Sequence, residues 1–381
     1  MYLLNAAEKY YSWGSRSAIQ NLTGIGIADE TLAEIWYGAH PAGPATLEDG
    51  QPLNEMISND AAHMLGDEIA ERFDGQLPFL VKLIAPGKAV SLQVHPRAER
   101  AREAHAEQLS SSAPEPKFVD ANHKPEQILA LTKFDGLVGL LPVADAEAVL
   151  DAFDHPLTRA AGTALARGDE KAIRDAIAIL AGASTSEIDL LVDVARAVVA
   201  EGEHAAAATL LELAEQYPGD SGLAASLMLR RIYLEPGESV MVLSGVPHAY
   251  MSGLALEVMA NSDNVFRLGL TAKRVDVEES VANLITSPAL VNRPHRSAAA
   301  DSPEEFDLEV HALRPDGIAV AGPGPRILVA ITSGCTVRSA DQSIALEPGH
   351  AVFLPHGSAA VAAAKSGQIA VISVPSPRER C

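Results

Sequence analysis

The chain has almost no means of building cysteine-based structure, because only two cysteines, Cys335 and Cys381, occur in 381 residues. Two thiols supply neither a disulfide framework nor a cysteine-rich zinc site, and such usage suits a reducing compartment. Positive charge is scarce as well: 29 Lys and Arg stand against 50 Asp and Glu, for a net charge of −21. Nucleic acid and anionic membranes would be repelled by most of that surface, so neither is expected as a partner. An anionic small molecule would need a local basic pocket. The opening MYLLNAAEKYYSWGS lacks the basic start and long apolar core of an export signal. No stretch of about 18 apolar residues follows later. A cytoplasmic protein is expected.

What the sequence does have is an ordinary globular composition, 48% hydrophobic and 21% charged. Its 381 residues exceed one core, since single cores stop growing near about 250 to 300 residues. Between Pro78 and Pro96, PFLVKLIAPGKAVSLQVHP reads as two short apolar runs split by Pro86-Gly87, a hairpin entering a β-barrel. From Asp145 to Tyr217 the text turns rich in Ala and Glu, with apolar residues at helical spacing, which predicts a helical insertion. Strand signals resume at RRIYLEPGESVMVLSGVPHAY, and alternating short runs continue from Phe306 to Pro375 as a second small barrel. The segments LEPGESVMVLSGVPHAY and LEPGHAVFLPHGSAA resemble each other, which points to a duplicated barrel. The second copy lacks an upstream Gln-x-His, so His356 reads as a surface or packing residue.

The expected fold is therefore mainly β: two barrels with an α-helical insertion. The expected units are residues 1–143 with 227–300 as the first barrel, 144–226 as the insertion, and 301–381 as the second barrel.

Gln93 and His95 stand two apart in a strand-like segment, which places both on one face. An amide oxygen and an imidazole nitrogen form a mixed donor pair that a borderline metal such as zinc accepts. Alone, a Gln-x-His in a strand is more often structural. Glu126 in NHKPEQ and His248 in GVPHAY add two further donors beside prolines, at positions that face a barrel mouth. Together the four make one O- and N-type shell, with room for water or a substrate oxygen.

The segments SLQVHP, NHKPEQ, GVPHAY and NSDNVFRLGLTAKRVD resemble, in order and spacing, the hallmark motifs of type I mannose-6-phosphate isomerases. YSWGS (Tyr11 to Ser15) and AEIWYGAHPAGPA (Ala33 to Ala45) resemble that family's opening. The likeness covers residues 1 to 280 well and the C-terminal barrel only loosely. It implies that the barrels are cupin-type jelly rolls, the first of them catalytic, with zinc as cofactor, Gln93, His95, Glu126 and His248 as its ligands, and interconversion of mannose 6-phosphate and fructose 6-phosphate as the reaction. It implies Arg267 as the essential arginine, with Lys124 and Glu257 as further active-site residues. Ser91, Lys82, Lys124, Arg267 and Lys273 then compose a candidate phosphate pocket. Two departures are visible: GLTAK where the family commonly has GLTPK, and HPR, with Arg97, where many members have HPD. A carboxylate of raised pKa suits an acid–base step at neutral pH, which makes Glu257 the candidate base; Lys124 is the alternative. Two other functions stay open: the same chemistry on another aldose, and a non-isomerase metal bicupin of the oxygenase type. An amide ligand at Gln93 weighs against the second, because open iron sites of that type use two histidines and a carboxylate. The remaining histidines read as structural or exposed, with His123, beside Lys124, the first exception to consider.

Overall fold

The structure is a computed structural model in which residues 1–111, 116–287 and 303–375 are described. The expected boundary at 300/301, His295 and Cys381 lie outside the described residues.

The strand Phe79–Ile84 shows why its sequence reads as one continuous apolar run: every residue in it is buried. Phe79, Val81 and Leu83 point out of their barrel into a core shared with the second barrel, whereas Lys82 lines the barrel cavity and Ile84 its interior core. A sheet covered on both faces loses the polar alternation of a half-exposed strand.

Around it runs a six-stranded antiparallel sheet, in the order Ala7–Lys9, Glu34–Gly38, Phe79–Ile84, Ala255–Ala260, Glu126–Ala130, Ser239–Val242. A five-stranded sheet faces it, in the order Phe266–Gly269, Leu92–Val94, His248–Ser252, Phe134–Leu140, Leu229–Leu234. Ile128 and Val240 of the first sheet share one apolar interior with Val138 and Ile232 of the second. Pro86-Gly87 is therefore not a hairpin. The strands on its two sides belong to different sheets, and a Pro-Gly signal marks a reversal without naming the strand that pairs afterwards. Pro236-Gly237 likewise carries the chain from the five-stranded to the six-stranded sheet.

The second barrel repeats the plan with a five-stranded and a four-stranded sheet enclosing Leu328, Val337, Val352 and Ala362. Its own Leu-Glu-Pro-Gly segment also crosses between sheets, from Ser343–Leu346 to Ala351–Leu354. Both turn glycines, Gly237 (φ 89°) and Gly349 (φ 78°), hold the left-handed conformation that lets the chain reverse so tightly. One strand of this barrel comes from the opposite end of the chain. Tyr2–Leu4 pairs with Phe353, Val352 and Ala351, so the first four residues do not sit with the catalytic barrel in which the sequence placed residues 1–143.

Helices fill the chain from Val143–Asp151 to the short turn Ser226–Met228. Local signals set their starts: Asp169 accepts from the Ala172 amide, and Ser184 with Glu187 forms a reciprocal capping box. Their apolar faces, including Leu180, Leu191 and Leu210, pack on Leu92, Val94, Ala249 and Leu268, the outer face of the five-stranded sheet. That sheet is thus apolar toward the helices and free to turn polar side chains into the barrel.

Candidate active site

Alternation on the two facing sheets decides which side chains meet inside the barrel. On the five-stranded sheet Gln93 pairs with His248 on one side and with Arg267 on the other. Across the six-stranded sheet Trp36, Lys82, Glu257 and Ile128 lie in one row. Three chain segments far apart in sequence thereby bring all ten sequence-proposed residues to one barrel; eight of them line its cavity of about 470 Å³ directly, with His95 and His248 just beneath.

At the floor, His95 Nε2 lies 3.2 Å from Glu126 Oε1 and His248 Nε2 lies 3.5 Å from Glu126 Oε2. Glu126 and His248 are the first residues of their strands and are buried, not set at the mouth. The outer nitrogens of both rings face backbone carbonyls: His95 Nδ1 donates to Asn264 O at 2.7 Å and His248 Nδ1 to Val246 O at 3.0 Å. A carbonyl only accepts, so the ring proton sits on Nδ1 and the bare Nε2 of each points inward. Burial, reinforced by Lys124, pushes the His95 pKa down to about 4, and burial lowers that of His248. Burial also opposes ionisation of Glu126, yet the Lys124 ammonium beside it is the largest opposing influence, and the carboxyl lies well below its usual range. Neutral imidazoles with lone pairs aimed at a carboxylate form an acceptor-against-acceptor contact, and His95 Nε2 is buried with no hydrogen-bond partner. A cation resolves that conflict. The His95, Glu126 and His248 ligand atoms all lie within 4.8 Å of one another, close enough for one ion.

Gln93 adjoins this trio with Nε2 3.1 Å from His248 Nε2, while its Oε1 accepts from Ser91 Oγ at 3.3 Å. Turning the amide over would exchange the two atoms and present oxygen to the ion.

On the opposite wall Lys82 Nζ lies 3.0 Å from Glu257 Oε2 and 3.7 Å from Glu34 Oε1. Burial works against the charge of Lys82, but Glu257 and Glu34 outweigh it and hold the ammonium protonated. Burial pushes the Glu257 pKa up to about 7, with Lys82 pulling the other way.

The comparisons with known proteins bear on this arrangement. A profile of the phosphomannose isomerase type I catalytic domain matches residues 1–143. The mannose-6-phosphate isomerase of Salmonella typhimurium is 33% identical over 401 aligned residues, covering 97% of this chain and 98% of that protein. The chain belongs to the mannose-6-phosphate isomerase family. The Homo sapiens mannose-6-phosphate isomerase is 33% identical over 318 residues, spanning 76% of this chain. A crystal structure of mannose 6-phosphate isomerase bound with zinc and yttrium superposes with a TM-score of 0.88 at 30% identity, over 99% of this chain. A glutamate-to-alanine variant of the Salmonella typhimurium enzyme gives 0.89 at 30%, again over 99%. The fold shared with these proteins is the cupin fold.

Within this family member, charge is graded from floor to mouth. Lys124 Nζ lies 3.4 Å from Glu126 Oε1, and Lys82 is matched by its two carboxylates. Arg267 has no carboxylate partner among the described residues, its Nε is buried without a hydrogen bond, and burial lowers its pKa. Lys273 is exposed at the rim, with Nζ 5.9 Å from the Tyr11 ring centre. Arg267, beside Gln93, and Lys273, at the rim, are therefore cations of the cavity left without a carboxylate partner among the described residues.

Several contributors escaped the sequence reading. Tyr250 donates to Glu126 Oε2 at 2.9 Å; it stands two residues after His248, so the period of two that joined Gln93 to His95 also points to it. Asn264 holds its loop by donating from Nδ2 to Asp120 and Asn122 while its own carbonyl fixes His95. Glu34 and Lys88 also line the cavity. Two residues considered from sequence point elsewhere. His123 pairs with Glu305 at 2.8 Å, and Arg97 is exposed at a second cavity with Arg102. His356 is exposed, with Nδ1 donating to Pro323 O at 2.8 Å. Among the described residues no helix is long and apolar enough to cross a membrane.

Proposed function

We propose that the protein is a zinc-dependent, cytoplasmic isomerase that interconverts mannose 6-phosphate and fructose 6-phosphate by proton transfer through a cis-enediol. The observation that carries the zinc requirement is the pair of neutral, inward-facing imidazole nitrogens set against the Glu126 carboxylate. His95, Glu126 and His248, with Gln93 through its amide oxygen, would hold the ion, whose chemistry there is to polarise and orient sugar oxygens as a Lewis acid.

The remaining chemistry belongs to the chain. Glu257 takes the proton from C2 of the open-chain aldose; the C–H electron pair forms the C1–C2 double bond, and O1 takes up the negative charge. The hydroxyl proton of O2 passes to O1 and Glu257 returns its proton to C1 as O2 becomes the carbonyl oxygen, which gives the ketose with no net change in protons. A carboxyl with pKa about 7 is suited to both halves, because acid–base catalysts work best near the operating pH. Arg267, as a fixed planar cation with no competing carboxylate, stabilises the developing oxyanion. Lys124, on the floor beside Glu126, orients substrate hydroxyls. Ser91 and Lys273 receive the phosphate at the mouth, with Lys82 positioning Glu257.

Conversion of mannose 6-phosphate to fructose 6-phosphate by the purified protein tests the substrate assignment. Inactivity of fully metallated protein on this pair would remove it.

A further inference from the structure

We propose that the exit of the helical insertion, residues 216 to 222, is a brace that positions both cationic loops of the active-site mouth, with Asp220 as its central positioning residue. The inference rests on the phosphosugar reading above and assigns the insertion a role in it.

Two loops form the mouth, one before the strand Leu92–Val94 and one after the strand Phe266–Gly269, and these strands are neighbours. The first carries Lys88 and Ser91; the second follows Arg267 and carries Lys273. Both are gripped by the same short stretch of insertion. Gln216 Oε1 accepts from the Ala89 amide at 2.8 Å, and the Tyr217 hydroxyl donates to the Ala89 carbonyl at 2.5 Å, so both backbone groups of Ala89 go to the insertion. Asp220 Oδ1 accepts from Leu270 N and from its own loop's Gly222 N, each at 2.7 Å, while Oδ2 accepts from Thr271 N at 3.2 Å.

The second loop needs that support. Leu270 has φ 55°, and Gly269 has φ 151°. A leucine in left-handed backbone is strained and persists where surrounding contacts over-determine it. The carboxylate supplies charge-assisted hydrogen bonds to two successive amides at that point, the strong kind. Contact is also close in backbone terms: a Cβ added at Gly222 would stand 2.7 Å from Leu270 N and 2.9 Å from Gly269 C. Asp220 touches no substrate in this account. It fixes the turn between Arg267 and Lys273, and hence the spacing of the charges that meet an anion. Lys88, held by the other grip, becomes an additional phosphate-facing cation.

Two variants disturb the brace differently. Asp220→Asn removes the charge and one acceptor, and Gly222→Ala pushes on the Leu270 turn without changing charge. The measurements are the affinity for inorganic phosphate by titration calorimetry, KM and kcat for mannose 6-phosphate, bound metal and Tm, all on zinc-loaded protein. Each variant is expected to weaken phosphate binding and raise KM about tenfold while kcat stays within about twofold, the signature of lost uniform binding. Bound metal stays at wild-type stoichiometry. Unchanged phosphate affinity and KM in both variants overturn the proposal. So do kcat and metal content falling together with Tm, which mark a merely structural role, and so does a wild type that binds no phosphate. A wild type that binds phosphate but does not isomerise mannose 6-phosphate removes the functional reading alone; the phosphate titration still decides the brace.

Discussion

Replacing Glu257 by Gln tests the proton-transfer assignment while keeping the volume of the side chain. Glu257 is 2% exposed and its carboxylate meets Lys82 at 3.0 Å. The amide oxygen introduced by Glu257→Gln still accepts from Lys82, and Lys82 keeps Glu34 at 3.7 Å, so the wall should not collapse. What disappears is the ability to hold a proton. With a pKa of about 7, the wild-type carboxylate is about half ionised at pH 7 and about nine-tenths at pH 8. A positioned base contributes about 10² to 10⁴ in rate, or about 3 to 5 kcal/mol of barrier at 1.36 kcal/mol per decade. The variant should therefore lose about a thousandfold in kcat at pH 8, with KM changed by less than about threefold. Two assays read this: formation of fructose 6-phosphate, and incorporation of solvent deuterium at sugar C1 or C2 by NMR, which follows the carbon-bound proton itself. Wild-type exchange in Glu257→Gln, or a loss of less than tenfold, would refute the assignment and turn attention to Lys124.

Other consequences follow from the same geometry. Because the base must be ionised, kcat/KM should rise with pH through about 7 and level off above it. Lys82 pulls the Glu257 pKa down, so Lys82→Met should move that limb to higher pH; a limb that stays put would disconnect the pair from catalysis. Arg267→Ala removes a cation that has no carboxylate partner among the described residues, and a charged contact to an oxyanion is worth about 2.7 to 4 kcal/mol. Its kcat/KM should fall about 10² to 10³, and unchanged turnover and phosphosugar binding would contradict its role. Phe353 is fully buried in the core between the barrels, so Phe353→Ala should cost about 3 to 5 kcal/mol in urea unfolding without altering bound metal in the folded protein.

How much was legible in the sequence differed by level. The helical insertion was plain because periodicity over dozens of residues is a local signal. That Gln93 and His95 share one face was legible for the same reason, since a period of two needs only neighbouring residues. The turn at Pro86-Gly87 was visible, but its meaning was not: the next strand joins the other sheet, and pairing is decided by register with strands more than a hundred residues away. Lys82 and Glu257 face each other through such a register, and resemblance to a family found them where spacing could not. Strand Tyr2–Leu4 closing the far barrel left no trace in composition. Asp220 was overlooked because Tyr-Pro-Gly-Asp looks like any solvated turn; only the folded chain shows its carboxylate meeting Leu270 and Thr271.

The most direct test of the central claim is to strip metal from the protein with a chelator and follow mannose 6-phosphate conversion before and after zinc is returned. Activity lost on removal and restored by about one equivalent of zinc per chain is predicted from the His95, Glu126 and His248 cluster. Full activity in protein shown to be metal-free would contradict it.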